Sequence, residues 1–500
     1  MFKIEKEKMK LKSKLIIALV CVGIIISCFE DRDDNGVFAK DINDFIWKGM
    51  NFWYLYKDNV PDLANDRFSS NEEYGDYLNL FSNPPDLFES LIYQRPTVDK
   101  YSVIVEDYIA LEQLLDGVTT RSGIEVDFYF VPGSSTDLFG IIRLVLPNSN
   151  ADIAGLMRGQ LFYGVNGTQL DINNFNSIFS VNSYDINLAS YNDNGTTETT
   201  DDSIIQESET VTLTKMAYSE NPIFKTEILD VEGEKVGYLM YNGFIPDFNS
   251  QLNSVFANFE ANNVQHLVLD LRYNPGGSVA SSILLASLVT GQFTGDVHSR
   301  EQWNSEIQEA FFNQNPENLI NRFPNTFNGG TSINSLFLNK VYVLTTGDSA
   351  SASEMVINTL NPYINVVQIG TTTEGKYQGS ITLYDSDNFQ RDGANPNHTY
   401  AMLPLVLKYA NAVGYTDFID GLTPDIVLSE NPQNYGILGD ENEPLLARAL
   451  LEISMTNAPI PFTEVTLPYT TSNQFEDFSN EMYTDKKLPE DLIKRLKFNQ

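Results

Sequence analysis

The sequence predicts an α/β protein built from several domains. Its 500 residues are more than one hydrophobic core usually accommodates, so two or three domains are expected. In the second half, two strand–glycine–helix units indicate parallel strands joined by crossover helices. In the first half, helix-spaced apolar residues give way to alternating strand patterns near residue 118. The chain therefore combines a helical region, a β domain and an α/β core.

Residues 1–27 have the pattern of a secretory signal peptide. Six lysines precede an uncharged run of thirteen residues, 15–27, which is too short to span a bilayer as a helix. The end of this run, Ile-Ile-Ser followed by Cys28, resembles the lipobox of bacterial lipoproteins and would make Cys28 the lipidated first residue. The alternative is an ordinary signal peptide with an incidental cysteine.

The acidic segment that follows Cys28 reads as a tether over residues 28–37. It resembles the export signals of surface lipoproteins in Bacteroidetes-type bacteria. We therefore expect a lipid-anchored protein of the cell envelope, held at the outer membrane on its periplasmic or surface face.

Composition argues against several kinds of site. Cys21 would be removed with the signal peptide and Cys28 would carry the lipid, which leaves no disulfide, thiol nucleophile or cysteine metal site. The net charge is −35, and it becomes about −39 without residues 1–27, so binding to nucleic acid is not expected. The sequence holds no dinucleotide or phosphate-binding glycine motif, and its three histidines lack zinc-site spacing. No metal and no cofactor are expected.

Residues 38–117 are predicted to form an N-terminal helical domain. Phe45, Trp47, Met50, Trp53 and Tyr54 recur at helical spacing among acidic positions. Such aromatic residues usually form the core of a small bundle, and we prefer this interpretation to a ligand cage.

Residues 118–220 are predicted to form a small β domain. Strands are expected at 125–131, 140–146 and 161–165, with a tight hairpin turn at Asn166-Gly167. The phrase from 148 to 170, NSNADIAGLMRGQLFYGVNGTQL, resembles the PDZ domain of secreted processing proteases, which binds an extended chain end at a sheet edge. The alternative is a small β domain without a ligand. The polar residues 191–209 are predicted to form a long loop.

Residues 221–455 are predicted to form the α/β core. Strands at 235–241 and 264–271 flank a helix at 249–262, and an Asn-Pro-Gly-Gly turn at 274–277 precedes a helix at 278–290. This turn exposes backbone N–H groups next to a helix N-terminus, a place suited to an anion or an oxyanion. The Leu-rich segment near 438–453 is predicted to close the core with an amphipathic helix. Residues 456–500 are expected to be a loosely packed extension.

The second strand–glycine–helix unit spans residues 340–378. A strand at 340–345 is followed by a helix that Asp348 or Ser349 could cap and that Pro362 ends, then by a strand at 364–369 and a loop to Lys376. Ser351 and Lys376 would thus lie beyond the carboxyl ends of parallel strands, where open α/β sheets bind ligands. The pair suggests a nucleophile with an amine base. The alternative is a capping serine and a solvated surface lysine.

Three motifs together resemble peptidase family S41, the C-terminal processing or tail-specific peptidases. They are DLRYNPGG at 270–277, GDSASASE at 347–354 and Gly375-Lys376, and the likeness covers roughly residues 120–450, including the GLTPD phrase at 421–425. The resemblance implies a ClpP/crotonase-like β-β-α core with Ser351 as nucleophile and Lys376 as general base. It also implies an oxyanion hole formed by the amide of Ala352 and a glycine of the turn, Gly276 or Gly277.

Two positions depart from the family pattern. Many members have a glutamine four residues after the lysine, where this chain has Ser380, and Gln378 could take its place in orienting Lys376. Some members have an aspartate at the position of Pro362. A histidine triad would be the alternative, but His266, His298 and His398 each fit a structural or surface role better.

The sequence thus predicts a lipid-anchored serine endopeptidase that acts on exposed or unfolded polypeptide ends. Its predicted partners are polypeptide substrates and, through the lipid, a membrane. The alternative is a catalytically weak relative that binds peptides through the PDZ-like domain as a surface scaffold.

Overall fold

The computed structural model describes residues 39–196, 201–454, 467–471 and 482–484. Cys28, the predicted signal peptide of residues 1–27 and the predicted tether of residues 28–37 lie outside the described residues. Within the described ranges, no helix is long and apolar enough to cross a membrane.

The N-terminal region consists of α1 (Ala39–Trp53), α2 (Asn71–Leu78), α3 (Pro84–Ser90), β1 (Val103–Val105) and α4 (Tyr108–Leu115). Its apolar stripe is buried as predicted, with Phe45, Met50 and Tyr54 at most 3% exposed. The same cluster contains Trp303 and Met355 from much later in the chain. The helices therefore share a core with the α/β region instead of forming the separate bundle that their spacing predicted.

The β domain contains β2 (Val118–Arg121), β3 (Ile124–Phe130), β4 (Leu138–Val145), α5 (Asn150–Ile153), β5 (Leu161–Val165), β6 (Thr168–Gln169), β7 (Ser183–Asn192), β8 (Ser203–Thr214) and β9 (Met216–Ser219). Strands β3, β4, β5, β7 and β8 are neighbours in that order. The predicted loop at 191–209 is wrong, because β7 and β8 pair antiparallel from Ser183↔Thr214 to Asn192↔Ser203. Threonine and isoleucine favour strands even where the polar neighbours suggest a loop.

The α/β core comprises β10 (Ile223–Val231), β11 (Glu234–Tyr241), α6 (Asn249–Ala261), β12 (His266–Asp270), β13 (Gly277–Ser278), α7 (Val279–Thr290), β14 (Val297–Trp303), α8 (Ser305–Gln314), β15 (Ile320–Arg322), β16 (Thr326–Phe327), β17 (Thr331–Ser332), β18 (Lys340–Thr345), α9 (Ala352–Leu360), β19 (Asn365–Gly370), β20 (Gln378–Ser380), β21 (Leu383–Tyr384), β22 (Ala401–Leu403), β23 (Leu405–Asn411), β24 (Ile426–Val427) and α10 (Pro444–Ile453). Short 3-10 turns lie at Lys57–Asn59, Pro61–Leu63, Ser177–Phe179, Pro246–Phe248 and Pro316–Leu319.

The main sheet of the core has the strand order β10-β11-β12-β18-β19-β24. From β11 onward the pairs are parallel, and only β10 runs antiparallel to its neighbour. Side chains alternate between two buried faces: Leu267 and Leu269 pack with α6, α7 and α9, whereas Val268 packs with α10. The layered arrangement confirms the predicted α/β class, and α10 covers the sheet as expected.

Two late strands are β25 (Thr470–Thr471), which pairs with β3 of the β domain, and β26 (Met482–Tyr483). Strand β26 belongs to a second sheet with the order β13-β26-β20-β23-β14-β15. Within the predicted extension the structure describes residues 467–471 and 482–484, and Thr470–Thr471 and Met482–Tyr483 of these are sheet strands. Their partners are far away in sequence, so local periodicity carries no signal for them.

Candidate active site

Ser351 lies at the junction of a buried strand and a helix. Strand β18 ends at Thr345, and Ser351 is the N-cap of α9, with φ +64° and ψ −113°. A positive φ is strained for a residue other than glycine, and it holds the serine at the top of the turn. Neither predicted cap, Asp348 or Ser349, caps the helix. Asp348 pairs with Arg143, and the Ser349 hydroxyl donates to the Leu271 carbonyl at 2.8 Å.

The diglycine turn packs directly against Ser351. A Cβ on Gly276 would lie 2.6 Å from both Cβ and Oγ of Ser351, and 3.1 Å from the amide nitrogen of Ala352. Gly276 also has φ +120°, so both space and backbone conformation require glycine here. The second glycine, Gly277, has φ +127° and begins β13. The structure thus brings the turn and the serine together as the sequence predicted.

The amides near Ser351 differ in their hydrogen bonds. The Gly276 N–H donates to Asn274 Oδ1 at 2.9 Å. The Ala352 N–H is the first of α9 and has no acceptor among the described residues, as is usual for the first turn of a helix. The Ser351 hydroxyl is fully buried; it faces the Glu354 N–H in a capping-box arrangement but makes no hydrogen bond of normal geometry among the described residues. A donor without an acceptor and a hydroxyl without a normal hydrogen bond therefore lie side by side.

Lys376 is buried, which rules out the solvated surface lysine considered above. Its exposed fraction is 0%, and its Nζ lies 4.7 Å from the centre of the Tyr101 ring. Since Tyr101 belongs to the N-terminal region, that region supplies one wall of the site. No hydrogen bond joins Lys376 Nζ to Ser351 Oγ.

Glu354 connects the serine turn to the lysine loop, and sequence reasoning gave it no role. Its Oε2 accepts from the backbone N–H groups of Ser351 and Lys376 at 2.7 and 2.8 Å. Its Oε1 accepts from the Gly375 N–H at 2.7 Å and the Thr373 hydroxyl at 2.5 Å. Burial raises the pKa of Glu354 to about 7, and these hydrogen bonds oppose the increase. An acidic residue three positions after an N-cap serine is a capping-box pattern, a signal that could have identified it.

The residues proposed to orient Lys376 make other contacts or none. Gln378 donates through Nε2 to the Tyr56 hydroxyl at 3.1 Å. Its Oε1 and the Ser380 Oγ are buried without a hydrogen-bond partner. Neither side chain therefore hydrogen-bonds to Lys376; Gln378 is directed to Tyr56 of the N-terminal region instead.

The loop before Ser351 is tied to the β domain. Asp348 pairs with the buried Arg143 of β4, and Arg143 also contacts Asp127 at 3.1 Å and Glu125 at 3.3 Å. The Thr471 hydroxyl of β25 donates to Asp348 at 3.0 Å. A cavity of about 350 Å³ lies beside these groups.

The three histidines have other partners than Ser351. His298 is buried beside Thr359, 3.0 Å from its hydroxyl, and burial lowers its pKa to about 3. His266 pairs with Glu234, and His398 lies 2.9 Å from Asp385. Within the described ranges, no cluster of three or more histidine, cysteine, aspartate or glutamate residues could hold a metal ion.

Comparison with known proteins places this site in a family. The model of peptidase family S41 matches residues 235–428, and the model of the peptidase S41 N-terminal domain matches residues 41–103. The chain belongs to peptidase family S41. The first match contains the diglycine turn, Ser351, Glu354 and Lys376, and the second contains Tyr101.

Individual relatives agree with this assignment. A carboxyl-terminal-processing protease from Picosynechococcus sp. is 25% identical over 235 residues, which is 47% of this chain and 49% of that protein. The chain thus matches about half of the length of this curated relative. A Bacteroides fragilis protein assigned to the S41 proteases is 26% identical, with a TM-score of 0.64 over 83% of this chain and 97% of that structure. The S41 peptidase is therefore homologous to carboxyl-terminal-processing proteases and shares the mixed α/β fold of an S41 structure.

Proposed function

We propose that this S41 peptidase is a serine endopeptidase in which Ser351 is the nucleophile and Lys376 the general base. The observation that carries the proposal is the environment of Ser351. Its backbone is strained, and its hydroxyl makes no hydrogen bond of normal geometry among the described residues and packs against the turn at Gly276. The buried Lys376 lies on the neighbouring loop. Backbone strain of this kind is retained mainly where the surrounding structure holds a residue for function. A serine that only capped the helix would not need it.

The reaction is an acyl transfer in two steps. Lys376, as a neutral amine, takes the proton of the Ser351 hydroxyl while Oγ attacks the peptide carbonyl carbon. The amide nitrogen then leaves with that proton, and water hydrolyses the Ser351 ester by the same route. Only the neutral amine can take this proton, so the rate should increase with pH as the neutral form becomes more populated.

The oxyanion would be stabilised by backbone donors. The Ala352 N–H lies beside Ser351 and has no acceptor among the described residues, so it is the first candidate. The second comes from the diglycine turn, either Gly277 or Gly276. Use of the Gly276 amide requires it to leave Asn274, its present acceptor. Loss of one such donor typically lowers kcat by about 10²–10³.

A peptide-binding scaffold with weak or no catalysis is the second candidate. The absence of a hydrogen bond between Ser351 and Lys376 favours it. The full burial of Lys376 favours the peptidase, because a surface-directed lysine would serve no catalytic purpose.

Substitution at both positions tests the proposal. Ser351→Ala should abolish hydrolysis of an unfolded protein and labelling by a fluorophosphonate. Lys376→Arg should nearly abolish both, because arginine stays protonated. Ser254→Ala, at an exposed position, and Lys235→Arg, whose side chain is 44% exposed, are matched controls that should retain wild-type turnover. Hydrolysis that survives Ser351→Ala in a preparation free of other proteases would disprove the assignment.

We further propose that the β domain binds polypeptide chain ends as a PDZ-like module. Beside the edge of β3 lies a groove of about 320 Å³, lined by Val126, Phe128, Phe179 and Tyr184. Arg121 and Lys215 are also in its lining, and a cation suits a terminal carboxylate. If so, Lys215→Glu should slow cleavage of a protein with a free carboxyl terminus but not of a short peptide. An equal decrease in the cleavage rates of the protein and of the short peptide would indicate that Lys215 has a structural role.

Anchoring through Cys28 to the outer membrane completes the proposal. It is supported by the sequence alone, from the charged and apolar segments that precede this cysteine. The substrates would then be exposed or unfolded polypeptides of the cell envelope.

A further inference from the structure

Strand β26, at Met482–Tyr483, lies inside the second sheet, next to strands that adjoin the candidate site. Strand β26 runs parallel to β13, with Gly277 opposite Met482 and Ser278 opposite Tyr483. On its other side Ser380 of β20 is opposite Tyr483, and the Thr484 N–H donates to the Ser380 carbonyl at 3.2 Å. The tail thus fills the space between two strands of the core.

These two strands flank the proposed catalytic groups. Gly277 of β13 follows Gly276, the residue pressed against Ser351. Strand β20 begins at Gln378, two residues after Lys376. An extended peptide between them gains backbone hydrogen bonds from both sides, which is how a polypeptide substrate adds to a sheet. The tail therefore lies where a substrate strand is expected.

The site is closed in this arrangement. Ser351 and Lys376 both have an exposed fraction of 0%, so no substrate carbonyl can reach the hydroxyl. Met482 is 1% exposed and belongs to the same apolar cluster as Val279, Met355 and Leu407. The strand is thus held by backbone pairing and by one buried apolar side chain.

The same tail also covers the edge of the β domain. Thr470 and Thr471 pair antiparallel with Phe128 and Asp127 of β3, and the Tyr469 N–H donates to the Phe128 carbonyl at 2.7 Å. The Tyr469 ring lies 5.0 Å from that of Phe130. Both edges proposed to receive substrate are therefore paired with short strands from the C-terminal part of the chain, β26 and β25.

We propose that the C-terminal tail is an internal pseudosubstrate that keeps the peptidase in an inhibited state. Strand β26 occupies the substrate strand position, and β25 pairs with the edge of β3, the strand whose Val126 and Phe128 line the groove proposed to bind a chain end. A substrate must displace both strands, so the site favours unfolded polypeptides that can pair with the protein over a long extended stretch. Such a substrate would place an apolar residue where Met482 now lies. This inference rests on the proposed peptidase function.

Release of β26 should activate the enzyme. Aspartate in place of Met482 would have to be buried without a partner, which favours the displaced tail. If the cleft is open in about one molecule in ten, permanent release raises the rate about tenfold. Turnover of an unfolded protein is measured for the full-length Met482→Asp protein and for a chain lacking residues 472–500. Val413→Asp, an equally apolar but 78% exposed position, is the matched control.

The inhibitory role is supported if Met482→Asp or the chain lacking residues 472–500 gains activity and Val413→Asp does not. A synthetic peptide of residues 478–489 should also inhibit the shortened chain competitively. The inhibitory role is overturned if both released variants unfold cooperatively yet show wild-type or lower turnover, because β26 would then be a structural strand. Ser351→Ala introduced into the most active variant separates the two proposals. Remaining hydrolysis would refute the peptidase assignment itself, whereas its loss together with an unchanged rate in the released variants would refute only the pseudosubstrate.

Discussion

Glu354 accepts four hydrogen bonds from two loops that follow different strands of the main sheet. Each oxygen receives two donors, so only the carboxylate can accept all four. A proton would turn one acceptor into a donor that faces an N–H group. The position of Ser351 relative to Lys376 therefore depends on the ionisation of one buried side chain, and we regard Glu354 as a positioning residue.

The pH profile should show this dependence. The pKa of Glu354 in the folded protein is about 7, raised by burial above its ordinary 4.5. The carboxylate is thus lost as pH falls through about 7, although an unfolded chain would keep it until about 4.5. We expect turnover to decrease below pH 7 and to increase further toward pH 9, where more of Lys376 is neutral. Stopped assays across pH 5–9 measure this, with buffers of constant ionic strength.

The Glu354→Gln variant tests whether Glu354 is the group that causes the decrease in turnover below pH 7. In either orientation of the side-chain amide its NH₂ would face at least one N–H donor, so kcat should fall by at least about tenfold, in line with the loss of more than one hydrogen bond of about 1 kcal/mol. The pH profile of the remaining activity should lack the inflection near pH 7. If the inflection persists in this variant, another group is responsible for it; Glu374, whose pKa burial also raises, is the nearest candidate.

Gly276→Ala tests the contact between the turn and the serine. The new Cβ would lie 2.6 Å from the Ser351 side chain, so either the turn or the nucleophile must move. A displacement of this size should lower kcat by about 10²-fold. Gly133→Ala is the matched control, since Gly133 also has a positive φ, +80°, but nothing within 4 Å of the new Cβ. A comparable decrease of kcat in both variants would show that backbone strain, and not the contact with Ser351, causes the loss.

At the scale of elements, Arg272 joins the end of β12 to the start of α10. Its guanidinium lies 2.8 Å from Asp270 and 2.7 Å from Glu443, and all three side chains are at most 1% exposed. Glu443 is also the N-cap of α10 and accepts from the Leu446 N–H at 2.8 Å. Loss of the arginine would leave two buried carboxylates without their cation.

Arg272→Met should therefore lower the free energy of unfolding by about 3–5 kcal/mol. Arg322→Met is the control, because Arg322 pairs with Glu317 at the surface, where such a pair contributes at most about 1 kcal/mol. Urea denaturation followed by tryptophan fluorescence measures both. A difference between the variants smaller than 1 kcal/mol would contradict the view that this buried pair fixes α10 on the sheet.

Elements with strong local patterns could be predicted from the sequence, and those that depend on distant partners could not. Strand β18 has the predicted bounds, and α6 differs by a single residue, because apolar periodicity and flanking turns define both. The β7–β8 hairpin, β25 and β26 were missed, since their stability comes from cross-strand pairing. Ser351 and Lys376 were expected beyond the strand ends and lie there. The N-terminal wall around Tyr101 was not expected, because no local pattern links it to a position 275 residues later.

At the scale of the whole molecule, the proposed anchor gives a simple prediction. Cys28 would carry all of the lipid, since Cys21 would be removed with the signal peptide. Cys28→Ala should therefore abolish metabolic labelling by a fatty acid and shift the protein from the membrane fraction to the soluble fraction, or leave it unprocessed. Labelling that persists in this variant would refute the anchor.

The site is assembled from positions scattered along the chain: Tyr101 over the lysine, the turn at Gly276, Ser351, and Lys376. Contacts so distant in sequence form late and slowly during folding. A chain that is still emerging from the ribosome, or one cut short before residue 376, has the hydroxyl without the amine. If Ser351 and Lys376 form the proposed dyad, hydrolytic activity arises only when the core is complete, and unfinished copies cannot cleave the proteins around them.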